Sequence, residues 1–299
     1  MDAKSAAQAA RSLVAGFDPR DADGLVRELQ ALWLRAAPGP APELEPESKQ
    51  LFKNWGIADS QFQAVGVPVP VLTAIGKEIG RSARQDVTGF VPLTRLLWES
   101  YGREGRIVAV VALGPMELAD PEAIVPLLRE LAASCAFWED CDQLAMKALE
   151  PVLRRDPGSW LEPVGAWVLD ENKWIRRAGL TALGRLPMEW PMFAARCVEL
   201  EAPALGDPDT DVKRALSFAL RQNARGDVEP VKELIRTHAT ATDPHVLWVM
   251  CDVIRSLWTA ILPEFVDLLP IYRRWLETAE PRARRSVQAA IRLLEGADR

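Results

Sequence analysis

The sequence predicts an all-α protein, an α-solenoid of HEAT-like helix pairs stacked into a curved, concave array. Three observations predict it. Apolar residues recur at helical spacing along most of the chain, and no stretch sustains the period-2 alternation of a half-buried strand. Clusters of Pro, Gly and Asp break the chain into helix-length pieces. A basic pattern then returns after the breaks: Arg176-Arg177-Ala178, Lys213-Arg214-Ala215, and a weaker Arg284-Arg285 in 282–291. Arg177 to Arg214 is 37 residues, and Arg214 to Arg285 is 71, about two periods. A helix pair repeating at this interval cannot bury its apolar face alone, so neighbours must stack.

The elements follow in order. Ala7, Ala10, Leu13 and Val14 share one helical face. Leu25, Leu29, Leu32 and Leu34 mark a second helix after Asp23-Gly24. The run Ala36-Ala37-Pro38-Gly39-Pro40-Ala41-Pro42 cannot be helical throughout, because each Pro lacks the N–H a helix interior needs. Residues 1–36 are therefore expected to form a helical appendage, 37–42 a linker, and 43–299 the repeat domain. Within the latter, Val71, Leu72, Ile75 and Ile79 give one stripe. Val91, Leu93, Leu96 and Leu97 give another, and Ile107, Val110, Val111 and Leu113 a third. Breaks are expected at Gly114-Pro115, Asp156-Pro157-Gly158, Leu186-Pro187, Gly206-Asp207-Pro208, Arg225-Gly226-Asp227, Asp243-Pro244 and Glu280-Pro281. Pro beside such breaks suits the first turn of the next helix.

Composition narrows the function classes. The uncharged stretch Phe62–Gly76 contains Pro68 and Pro70 and is too short to span a bilayer. No apolar segment follows the first residues, so the expected location is the cytoplasm; separately, a monomer is expected. Cys135, Cys141, Cys197 and Cys251 form no Cys-x-x-Cys pair, and His238 and His245 lie far from the first two. The spacing of a zinc site is missing, and buried reduced thiols are expected. No metal or cofactor is called for. The net charge of −6 argues against nucleic-acid binding over the whole surface. Charge acts over roughly 8 Å at physiological salt, so a local basic face is still open. The 11 Trp against 8 Phe and 2 Tyr are unusual, and several indoles sit beside charges, as stacking surfaces do.

Four features, in order, resemble the AlkD-like family of DNA alkylation repair glycosylases over about 60–240 of the sequence. Leu97-Trp98 is followed by Glu104, Arg106, Ala109 and Leu113. Phe137-Trp138-Glu139-Asp140-Cys141-Asp142 is similar to the family's Trp-Asp-x-Val-Asp. Asn172-Lys173-Trp174-Ile175-Arg176-Arg177-Ala178 is similar to its Asn-x-Trp-x-[Arg/Gln]-Arg-x-Ala. Lys213-Arg214-Ala215-Leu216-Ser217-Phe218-Ala219-Leu220-Arg221 is similar to its Lys-Ala-x-x-Trp-x-Leu-Arg. Gly66-Val67-Pro68 resembles the turn near the start of the family's domain. The family's N-terminal Tyr has no counterpart; its interval falls near Ile57.

The resemblance implies hydrolysis of the N-glycosidic bond of cationic alkylated purines such as 3-methyladenine and 7-methylguanine in double-stranded DNA, without flipping of the base. Trp138 and Asp142 are four residues apart, so a helix places them on one face. A cationic base leaves without a general acid, and the remaining barrier is positive charge growing on the sugar. A preplaced carboxylate stabilises that charge more in the transition state than in the ground state. By resemblance Asp142 and Trp138 are the catalytic pair. Arg177 is the phosphate contact beside the lesion, Phe218 stands where the family has a second Trp, and Lys213, Arg214 and Arg221 extend the DNA-binding track. Glu139 and Asp140 are read as solvated. Trp98, Trp160, Trp167, Trp190, Trp248, Trp258 and Trp275 are read as packing residues. The alternative is a non-catalytic HEAT-repeat scaffold or paralogue that binds nucleic acid or protein, its basic residues paired with acids of the neighbouring repeat.

Overall fold

A computed structural model describes residues 1–37, 66–100 and 102–297. The described residues are overwhelmingly helical and contain no strand. None of their helices is long and apolar enough to cross a membrane. The chain divides into two compact units, Met1–Val152 and Leu153–Arg299. From Pro38 onward the expected linker lies outside the described residues.

The first unit is built from two rows of helices. One row runs through α1 (Ala3–Val14), α3 (Val69–Ala83), α5 (Gly102–Ala119) and α7 (Trp138–Leu144). The other contains α2 (Ala22–Leu34), α4 (Val87–Ser100) and α6 (Pro121–Ala133). The first two helices are integral to this unit. Ala6, Ala10 and Val14 are buried against α3, and the Arg11 guanidinium makes two hydrogen bonds to the Glu78 carboxylate. The predicted stripes appear on α3, where Val71, Leu72, Ile75 and Ile79 are all buried. Burying four such side chains is worth about 1.5–3 kcal/mol each before the entropy of ordering them is set against it. The expected break at Gly114-Pro115 does not occur: α5 continues through Pro115. Proline sacrifices one backbone bond there, but its ring sits in the space left by Gly80, where a Cβ would come within 2.8 Å of the Pro115 Cγ. Packing thus offsets a local preference.

The second unit repeats the arrangement. One row holds α9 (Pro157–Gly165), α11 (Ala194–Glu201) and α13 (Glu229–Thr237). It continues into a 3-10 segment (Leu262–Leu268) that leads to α15 (Leu269–Thr278). The other row holds α10 (Lys173–Arg185), α12 (Thr210–Gly226), α14 (Pro244–Ser256) and α16 (Pro281–Ala297). The short helix α8 (Glu150–Arg155) carries the chain from the first unit to the second. Asp-Pro starts recur because Asp supplies the cap and Pro fits the first turn. Asp120, Asp156 and Asp243 accept from the backbone N–H groups of Ala123, Ser159 and His245. Helices α10 and α12 approach closely at Gly184, where a Cβ would lie 2.3 Å from the Ala219 Cα. Polar contacts inside each unit keep the repeat interval. Trp98 Nε1 donates to Ser134, Arg95 pairs with Glu130, Arg196 with Glu162, and Ser217 donates to Asp252, spanning 34–36 residues in sequence.

Candidate functional site

Helix α7 begins where Phe137 is extended and Trp138 takes the first helical position. Glu139 and Asp140 fall in the first turn, where acidic groups complement the helix dipole. Cys141 and Leu144 turn inward and are buried. That orientation leaves Trp138 42 % exposed, its ring 5.2 Å from Phe137, and Asp142 half-buried one turn further on. Trp138 is therefore not a core residue. A π-turn, Ala145–Leu149, interrupts the helix immediately after this pair. Such turns carry one extra residue per turn and recur at functional sites.

Beside α7, within the first unit, lies a cleft of about 210 Å³. Val69, Trp98, Ile107 and Val110 form its apolar lining, and Arg103, Arg106, Glu139, Asp140, Gln143 and Lys147 its polar lining. Asp140 is not solvated. Arg106 pairs with it, both side chains being at most one-fifth exposed, and the guanidinium lies 5.1 Å from the Trp98 ring centroid. Burial pushes the Asp140 carboxyl above its ordinary range, and Arg106 opposes that shift. Arg106 and Asp140 are 34 residues apart, the repeat interval, and that interval was the one sequence signal for the pair. Upstream, Gly66 has φ 76° and its N–H donates to the buried Glu104, fixing the Gly66-Val67-Pro68 turn.

The cations expected to meet DNA lie in the second unit, on α10 and α12. Arg177 is only 6 % exposed, and it donates to the Asp211 carbonyl at 2.6 Å. Lys213 is half-buried, 3.1 Å from His245 Nδ1, with its ammonium 5.6 Å from the Trp248 ring. Arg221 is half-buried and donates to the carbonyls of Ser217 and Ser256. Arg214 is exposed and Phe218 half-buried. Neighbouring Lys173 and Arg176 pair with acids of the next repeat, Lys173 with Asp209 and Asp211, and Arg176 with Asp207.

Trp98, Trp160, Trp167 and Trp275 are buried, as packing residues should be. Trp190 and Trp258 are not: they are 42 % and 58 % exposed, and the Arg225 guanidinium stacks 3.7 Å from the Trp258 ring centroid. Both follow helix ends, where the chain turns outward and apolar periodicity no longer reports burial. All four cysteines are buried free thiols, and burial pushes Cys251 up to about 12. Ile57 lies outside the described residues.

Residues 39–247 match the model of a protein family described as DNA alkylation repair enzyme. No curated protein matches the chain.

Proposed function

Since this chain belongs to the DNA alkylation repair enzyme family, we propose that it is a DNA N-glycosylase that releases cationic alkylated purines from duplex DNA. The observation that carries the reading is the pairing of an open indole, Trp138, with a half-buried carboxylate, Asp142, one turn apart on α7.

An N3- or N7-alkylated purine already bears positive charge and departs as a neutral base. The electron pair of the glycosidic bond leaves with the base, and the deoxyribose acquires oxocarbenium character. Asp142 stabilises this charge as it develops and orients the water that attacks C1′. Trp138 presents its π-face to the cationic sugar. In the second unit Arg214 offers exposed charge to a phosphate, and Lys213, Phe218 and Arg221 line the same helix. Arg177 joins this track chiefly by holding the Asp211 carbonyl at the start of α12.

The test is base release from methylated duplex DNA. Asp142→Asn removes the charge but not the volume, and is expected to slow release of 7-methylguanine by about 10²–10³-fold while circular dichroism and melting stay unchanged. Equal release by both proteins removes Asp142 from the chemistry. The near-burial of Arg177 favours a second reading, a non-catalytic HEAT-repeat scaffold or paralogue that binds nucleic acid or protein, with such cations tying neighbouring repeats. Retained binding with no release from the wild type would establish that one instead.

A further inference from the structure

We propose that the cleft beside α7 is a phosphate-binding subsite, filled by a backbone phosphate of the DNA strand next to the damaged nucleotide. The proposal rests on the reading of DNA as substrate.

The charge arithmetic points to an anion. Three cations, Arg103, Arg106 and Lys147, line the cleft with two acids, Glu139 and Asp140. Arg106 is committed to Asp140. Among the described residues Arg103 and Lys147 form no ion pair; Arg103 feels the Asp140 charge from a distance, and the lining as a whole keeps one cation more than it has acids. The apolar wall of Val69, Ile107 and Val110 excludes water from one side, which strengthens a charge-assisted contact.

The position points to the flanking nucleotide. At about 100° of rotation per residue, Glu139 follows Trp138 and Gln143 follows Asp142 around the helix. A group in the cleft is thus the immediate neighbour of a sugar held at Trp138 and Asp142. Lys147 enters the cleft from the π-turn, which gives that irregularity a use. The size permits it: a cleft of about 210 Å³ admits a phosphate with its sugar methylene.

The test measures binding of the full chain to a short undamaged duplex by fluorescence anisotropy across a salt series. Arg103→Ala with Lys147→Ala is expected to weaken binding about tenfold at low salt. It should also flatten the slope of log K against log salt by about 0.9, the contribution of one phosphate. Lys77→Ala, an exposed cation on α3 outside the cleft, should leave the slope unchanged. The proposal is overturned if the double variant keeps the wild-type slope, if Lys77→Ala loses as much, or if the wild type binds no duplex.

A second arm titrates free deoxyadenosine monophosphate by calorimetry. If the double variant loses only that binding, the occupant is a free nucleotide and the proposal is again overturned. Should the alanine variant melt early, Arg103→Gln with Lys147→Gln keeps more of the side-chain bulk while removing the charge, and gives the same readings. Base release separates this inference from the one it rests on. Release with an unchanged slope refutes the cleft alone, whereas a flattened slope without release refutes the glycosylase alone.

Discussion

In the second unit, several of the cations that follow the breaks reach forward to the next repeat, although Arg214 stays exposed. Lys173 takes Asp209 and Asp211, Arg176 takes Asp207, Arg177 takes the Asp211 carbonyl, and Arg221 takes the Ser256 carbonyl. In the first unit the corresponding reach is made once beside α7, by Arg106 to Asp140, and Arg103 and Lys147 are left facing a cleft. One sequence habit, a basic pair at the head of a repeat, thus serves two ends. Where the following repeat offers an acid or a bare carbonyl, the charge becomes a structural tie. Where it does not, the charge remains for a ligand. A count of basic residues per repeat cannot tell these apart, but their partners can.

The largest expected stability effect breaks a tie in the second unit. Arg176 Nε lies 2.7 Å from Asp207, whose side chain is 8 % exposed, and its guanidinium also donates to the carbonyls of Asp170 and Glu171. Arg176→Ala leaves a nearly buried carboxylate without its counter-charge, which costs about 3–5 kcal/mol. Urea unfolding should show that loss. A change below about 1 kcal/mol, typical of exposed pairs, would mean that the tie is ornamental and the contrast between units false.

How much of this was legible beforehand depends on range. Helices, their breaks and the repeat interval were readable because apolar spacing and Asp-Pro starts are local. So was the pairing of Trp138 with Asp142, which needs only one helical turn. The fate of Arg177 was not readable, because its partner is a carbonyl 34 residues away. Asp140 misled for the same reason: its neighbours in sequence are polar, but Arg106 removes it from solvent. Pro115 misled in the other direction, since a local breaker yielded to the space above Gly80. Nothing in the residues 145–149 announces the π-turn.

A second test sharpens the contrast within the second unit, between an acid held as a charge and one held as a neutral group. Glu201 is fully buried and receives both of its hydrogen bonds from Asn223 Nδ2, at 2.9 and 2.7 Å. Burial lifts its carboxyl well above the ordinary range, against the pull of Asn223. The folded protein therefore keeps a proton that the unfolded chain releases above about pH 4.3. Its contribution is complete below that pH and is lost as pH rises toward the folded-state value, by about 1.4 kcal/mol per pH unit. Glu201→Gln removes this term, so the variant should gain on the wild type as pH rises above the ordinary carboxylate range. Parallel stability curves there would show that Glu201 folds as a charge.

The smallest effect concerns a tie of the right interval but the wrong environment. Arg95 meets Glu130 at 2.6 and 2.8 Å with two parallel bonds, in the first unit, and the two lie 35 residues apart. Geometry alone would rank it with Arg176–Asp207. Yet both side chains are more than one-third exposed, so water competes for each charge and salt screens the pair. A double-mutant cycle with Arg95→Ala and Glu130→Ala should give a coupling of about 0.2–1 kcal/mol, shrinking as salt is raised. A coupling as large as that of the Arg176 pair would mean that interval and geometry, rather than burial, decide which repeat-to-repeat contacts hold the fold. The division between structural and available charge would then have to be drawn by register alone.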